Sequence, residues 1–320
     1  MKIRTLDLFH GAGGSSIGAR MAGVKIVAAI DNWNIASMAY SSNLPETRVI
    51  SEDIKKVSPK RLHEIIGDID LILASPECTN HSCAKGAGVR CENSRMTAFQ
   101  VIRFTREFMP KWVVIENVIQ VRLWDRHREL VDRLQKLGYC VREEILNAQD
   151  FGVPQSRRRL FLLCSRTGKT FCVKKRKSEL KPACSVIDLN GNYGYTSLYS
   201  PKRAVATIQR AERAISSLGT KEPFLIVYYG TDGSGGWQPI DRPLRTVTTI
   251  DRFAFVKPTN MGYMMRMLQP EELKAAMGFP RTYRLEVGTR REKVKLMGNA
   301  VCPPVMLSIV RTLTRVEGGT

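Results

Sequence analysis

Short apolar runs alternate with longer amphipathic stretches through the first half of the chain, the pattern of a parallel sheet with helices on its faces. Thr5 to Phe9 reads as a strand, Ser15 to Ala22 as a helix and Lys25 to Ile30 as a second strand. Asp31 to Ser41 reads as a helix, Thr47 to Ile50 as a short strand, and Asp70 to Ala74 as a buried strand that enters a loop at Ser75-Pro76. Met96 to Met109 is helical, Trp112 to Ile115 is a strand, and Asp125 to Leu137 is a helix stopped by Gly138. The spacing predicts an α/β, doubly wound fold of the nucleotide-binding type.

After Ser165 the alternation lapses into a basic tetrad, Lys174 to Lys177, with scattered Gly and Pro and isolated strand-like pieces such as Phe224 to Tyr229. Helical periodicity returns from Gln269, breaks at Gly278-Phe279-Pro280 and ends in a helix near Val305 to Val316. The expected organisation is one catalytic unit from residues 1–165 and 255–320, with a smaller irregular unit over 166–254.

Charge sharpens this division. Fifty Lys and Arg against thirty Asp and Glu leave a net +20, an excess that calls for a polyanionic partner. Residues 166–254 hold fifteen of the basic and seven of the acidic side chains, so charge density peaks in the second unit. With 43% hydrophobic residues the chain is not a disordered basic tail. No secretory leader and no run of 18 apolar residues are evident, and the eight cysteines lack paired spacing, so a cytoplasmic protein with free thiols and no membrane partner is expected.

Four segments carry candidate chemistry. Asp7-Leu8-Phe9-His10-Gly11-Ala12-Gly13-Gly14 is a strand entering a glycine-rich turn that opens a helix, a place where backbone can approach a ligand, though such a turn can also be only a tight connection. Asp31 at the end of the second strand can accept ribose hydroxyls, and Asp53 can reach an adenine amino group. The glycine spacing does not suit a pyrophosphate; a nucleoside without phosphates, of which S-adenosylmethionine is the commonest, fits better. Cys78, in Ser75-Pro76-Glu77-Cys78, sits where a doubly wound sheet binds ligands and can act as a nucleophile, or be a buried thiol. Glu116-Asn117-Val118 ends the next strand, where a partly buried Glu116 can hold a proton. In Gln155 to Arg159, Arg157 and Arg159 point to one strand face and can clamp a base oxygen or a phosphate.

The order and wording of these segments resemble the cytosine-C5 DNA methyltransferase family, over nearly the whole chain outside 166–236. Arg242-Pro243 with Thr246 to Thr249, Gly278-Phe279-Pro280 and Gly298-Asn299-Ala300-Val301 match further elements of that family. The resemblance implies a Rossmann-like, S-adenosylmethionine-dependent methyltransferase sheet with a smaller target-recognition domain. It implies that Phe9, Gly11, Gly13, Gly14, Asp31, Trp33, Asp53, Ile54, Pro76, Asn299 and Val301 bind the cofactor. Cys78 would attack C6 of a flipped cytosine in duplex DNA, Glu116 would hold N3, and Arg157 and Arg159 would hold O2 and the loop. Asn117, Val118, Gln155 and Thr248, with Lys174, Lys175, Arg176 and Lys177 on phosphates, would meet DNA. A monomer is expected, and a cognate restriction endonuclease, where present, acts separately.

The chain departs from the family beside the nucleophile, where Glu77 and Thr79 replace the usual Pro and Gln. Glu77 stabilises the sulfonium if it faces the cofactor, and raises the Cys78 pKa if it faces the thiol. Two alternatives stay open: methylation of a structured RNA, since one branch of the family acts on tRNA, and a catalytically silent DNA-binding paralogue.

Overall fold

The computed structural model describes residues 2–77, 96–168, 171–175, 179–189, 191–229 and 235–317. A seven-stranded sheet organises the molecule: β1 (Arg4–Leu8), β2 (Lys25–Asp31), β3 (Arg48–Ser51), β4 (Leu71–Ala74), β5 (Trp112–Asn117), β6 (Cys140–Asn147) and β7 (Arg158–Ser165). Its order is β3-β2-β1-β4-β5-β7-β6, parallel through the first five and antiparallel where β7 meets β5 and β6. The chain therefore builds outward from β1 in both directions. That reversal opens a crevice at the carboxyl ends of β1 and β4, where doubly wound sheets take their ligands.

Period-two alternation assigns the strand residues to two cores. Leu6, Leu8, Ile72, Ala74, Val113 and Ile115 face one side, while Leu71, Leu73, Trp112 and Val114 face the other. Five helices cover these faces: α1 (Gly14–Met21), α2 (Asn34–Asn43), α3 (Pro59–Ile66), α4 (Gln100–Phe108) and α5 (His127–Lys136). The sequence reading passed over α3, although Ser58 caps it by accepting from the Arg61 amide and Pro59 stands at its first turn.

A second sheet has β8 (Thr196–Ser197), β9 (Phe224–Val227), β10 (Trp237–Pro239), β11 (Phe253–Thr259) and β12 (Gly262–Met267) in the order β10-β9-β11-β12-β8, antiparallel throughout. A helix α6 (Val205–Leu218), also unforeseen, packs Ala211 and Ala214 against it. The boundary expected at 254 falls inside β11. Ala254 and Val256 face the small core under α6, whereas Phe253 and Phe255 join the main core, so this strand serves both units.

The chain then returns to the first sheet through α7 (Pro270–Ala276), α8 (Arg290–Asn299) and α9 (Pro303–Glu317). A buried fork ties the second sheet to α7: Arg266 on β12 donates to both oxygens of Glu272 at 2.6 and 2.8 Å. Residues 290–314, which span α8 and most of α9, are long and apolar enough to cross a membrane by length and composition, although charged residues such as Lys295 and Arg311 leave no unbroken run of 18 apolar residues. Most of that stretch is buried inside the fold, as Leu296, Met297, Ile309 and Val310 show, and it serves as core.

Candidate functional site

β1 leaves the sheet through a turn with three left-handed residues, Phe9 (φ 60°), Gly11 (φ 51°) and Gly13 (φ 76°). The Phe9 conformation is costly for a side chain bearing Cβ, and the amides of Phe9 and His10 hold it by donating to the Ile30 carbonyl at 2.8 and 3.2 Å. Asp31 then knits two turns together, accepting from the Gly11 amide at 2.9 Å and the Trp33 amide at 2.8 Å.

In front of this turn lies a cavity of about 380 Å³. Phe9, Gly11, Asp31, Trp33, Asp53, Ile54, Pro76, Asn299 and Val301 line it, together with Glu116. Gly13 and Gly14 do not. A Cβ on Gly13 would come within 2.8 Å of the Tyr40 ring, and one on Gly14 within 2.0 Å of the Val301 carbonyl oxygen. Packing against α2 and the 300–302 turn therefore requires glycine at both positions. Lining residues that the sequence reading missed include Glu52, Thr97, Lys295 and Leu296. Lys295 lay one helical turn before the flagged Asn299, a signal that was legible.

Behind the turn, Asp7 is fully buried. Ser16 Oγ donates to its Oδ2 at 2.6 Å, and Tyr40 donates in turn to Ser16 at 2.7 Å. Oδ1 has no hydrogen-bond partner among the described residues. Burial, opposed by the Ser16 hydroxyl and reinforced by the charge on Asp31, pushes the Asp7 carboxyl from 3.8 to about 7. Folded protein therefore holds a proton that the unfolded chain has already released between those values. Stability should fall as pH rises across that window, by roughly 4 kcal/mol at most. Thermal melts of Asp7→Asn between pH 5 and pH 8 should show a flatter profile than the parent; an unchanged slope would refute this origin.

Glu116 closes the far side of the cavity, 7% exposed at the end of β5. Burial raises its carboxyl above the ordinary range, while Arg159 and then Arg157 pull it back. Arg159 Nε lies 3.2 Å from Glu116 Oε1. Asn117 ties the β5 loop to the β4 loop, its Nδ2 donating to the Pro76 carbonyl at 3.4 Å. Pro76 and Glu77 share the cavity with Glu116, so the chain enters Cys78 from this rim. Cys78 itself lies outside the described residues.

The lining combines apolar walls from Phe9, Ile30, Ile54 and Val301 with carboxylates from Asp31 and Asp53. It lacks, among the described residues, the cluster of basic side chains a pyrophosphate would need. These residues fit a cationic nucleoside such as S-adenosylmethionine.

The sequence profile described as C-5 cytosine-specific DNA methylase matches residues 3–315. The chain belongs to that family. This methylase is 34% identical over 214 residues to the type II methyltransferase M.DdeI of Desulfomicrobium norvegicum, covering 65% of this chain and 49% of that relative. It is 29% identical over 311 residues to M.HgiDI of Herpetosiphon aurantiacus, covering 96% of this chain and 92% of the relative. Its fold matches the S. pombe Dnmt2 methyltransferase with a TM-score of 0.71 at 19% identity, over the full length of both chains. A prophage-encoded E. coli DNA modification methyltransferase superposes with a TM-score of 0.72 at 16% identity, over 99% of this chain and 100% of that one. The methylase is an enzyme that uses S-adenosylmethionine, and a covalent mechanism is typical of its family.

Several expectations are revised by the geometry. Arg157 and Arg159 do not share a task. The Arg157 guanidinium is buried and forks onto the carbonyls of Val247 (2.9 Å), Gly298 (2.7 Å) and Ala300 (3.1 Å), which makes it a positioning residue. Gln155, expected to meet DNA, is wholly buried. It donates to the Ala276 carbonyl at 3.0 Å and accepts from the Val247 amide at 2.8 Å. Val118 is buried as well, and its amide is held by the Asn117 side chain at 2.8 Å. Thr248 spends its hydroxyl on the Ile250 carbonyl at 2.9 Å. Within the tetrad, Lys174 is exposed and Lys175 reaches Asp150 at 3.1 Å, while Arg176 and Lys177 lie outside the described residues.

Proposed function

We propose that the methylase acts on duplex DNA at a specific sequence, flipping a cytosine into the rim between Glu116 and the Pro76-Glu77-Cys78 loop. The observation that carries this reading is the sharing of one cavity by Glu116 and the two residues that lead directly into Cys78. The cofactor supplies an electrophilic methyl group. Cytosine C5 is a poor nucleophile, so the Cys78 thiolate bonds to C6 first, with Glu116 holding the proton at N3 that favours addition. The resulting enamine carbon at C5 takes the methyl group. Loss of the C5 proton then expels the thiolate and restores the ring. Arg159, whose Nε lies 3.2 Å from Glu116 Oε1, releases that carboxyl to the base and turns to its O2. Glu77 lines the cavity, which favours the reading in which its carboxylate serves the positive sulfonium.

The unit over 166–254, with its basic surplus and the Lys174 to Lys177 tetrad, is assigned to target recognition and phosphate contact. The enzyme works as a cytoplasmic monomer, and any cognate endonuclease acts separately. Labelled methyl transfer should be measured on duplex DNA and on tRNA side by side, followed by bisulfite sequencing of DNA from expressing cells. Transfer to DNA at one recurring sequence is expected; transfer to tRNA alone would overturn the assignment.

A further inference from the structure

The cofactor cavity carries charge of one sign almost throughout. Asp31, Glu52, Asp53 and Glu77 line it, Glu116 is turned toward its protonated form by burial, and burial drives the His10 imidazole toward the neutral form. Lys295 is the sole Lys or Arg among the described lining residues. S-adenosylmethionine brings a sulfonium, an ammonium and one carboxylate to this cavity. Its two cations suit the acidic wall. Its carboxylate does not, and needs a positive group there, which the N-terminus of α1 supplies in part and a side-chain cation can complete.

Lys295 is free to do so. Its ammonium stands 4.3 Å from the centroid of the Trp33 ring and has no hydrogen-bond or ion-pair partner among the described residues. Glu292, one turn earlier on α8, is already engaged in the helix cap, accepting from the Thr289 amide and hydroxyl, both at 2.8 Å. Trp33 is half-buried but Lys295 itself is exposed, so the cation–ring contact holds the ammonium by about 0.5–2 kcal/mol, less than a charge-assisted bond to a carboxylate offers. Lys295 and Asn299, one turn apart, present the same face of α8 to the cavity.

We propose that Lys295, whose ammonium lies over the Trp33 ring, is the residue that binds the amino-acid carboxylate of the cofactor. The proposal rests on the reading of this cavity as the S-adenosylmethionine site.

Calorimetric titration of the full chain with two probes tests it. S-adenosylhomocysteine carries the carboxylate; 5′-methylthioadenosine keeps the nucleoside and thioether but lacks it. Lys295→Met should weaken S-adenosylhomocysteine about tenfold and change 5′-methylthioadenosine less than about twofold. Lys295→Arg should stay within about threefold of the parent for both. Equal losses on both probes would mean that Lys295 acts through Trp33 or cavity shape, and would overturn the proposal, as would no loss on either. The ammonium missing from 5′-methylthioadenosine does not mimic the expected result, because removing a lysine relieves an ammonium rather than penalising it. Failure of the parent chain to bind S-adenosylhomocysteine would instead refute the cofactor reading beneath it. Unchanged melting temperatures in both variants exclude misfolding as the cause.

Discussion

Methyl transfer by the Cys78→Ala enzyme is expected to fall by about 10⁴-fold or more, because the step that makes C5 nucleophilic disappears with the thiolate. The surrounding geometry gives this prediction a contrast. Glu116→Gln keeps the nucleophile but removes the proton held at N3, and should slow transfer by about 10²–10⁴-fold. Trapping with duplex DNA containing 5-fluorocytosine separates the two: no covalent adduct for Cys78→Ala, a slow but complete adduct for Glu116→Gln. An adduct in the Cys78→Ala protein would sink the assignment. The proposed mechanism requires the protonated form of Glu116, and burial raises its pKa. Activity limited by this group should therefore decline as pH rises through that pKa, and the Glu116→Gln enzyme should lose that alkaline limb.

The second large effect falls on stability. Arg157→Met removes a planar fork from three carbonyls on two separate segments, 247 and 298–300, and leaves them buried without their donor. A loss of about 3 kcal/mol or more is expected. In a chain of 320 residues that lowers the melting temperature by about 4–6 °C. Arg157→Lys should recover only part of it, since an ammonium cannot span carbonyls in one plane. A shift under about 2 °C for Arg157→Met would show that the fork is dispensable.

Arg157 marks how far the sequence could be read. The strands and helices around β1 to β5 follow from period-two and helical patterning, because each buries its face against immediate neighbours. Phe9, Asp31, Asp53, Pro76 and Glu116 could be placed at one rim for the same reason: in a doubly wound sheet the strand ends converge. The destination of the Arg157 side chain could not, because its partners lie about ninety and more than a hundred and forty residues away and are backbone atoms, which no side-chain pattern encodes. Gln155 was misread on the same grounds. Gly13 and Gly14 looked like ligand-facing glycines, yet what they accommodate is the Tyr40 ring and the Val301 carbonyl. In the second unit α6 was hidden by its modest apolar face, three buried residues in fourteen.

The close approach of Val301 to Gly14 also bears on how the enzyme is made. One wall of the cofactor cavity, from Lys295 to Val301, is synthesised long after the opposite wall at Phe9 and Asp31. While the ribosome is still translating the second sheet, the nascent chain has its parallel strands but only half a pocket. The pocket is therefore closed only once α8 has emerged, after the whole second sheet has been made.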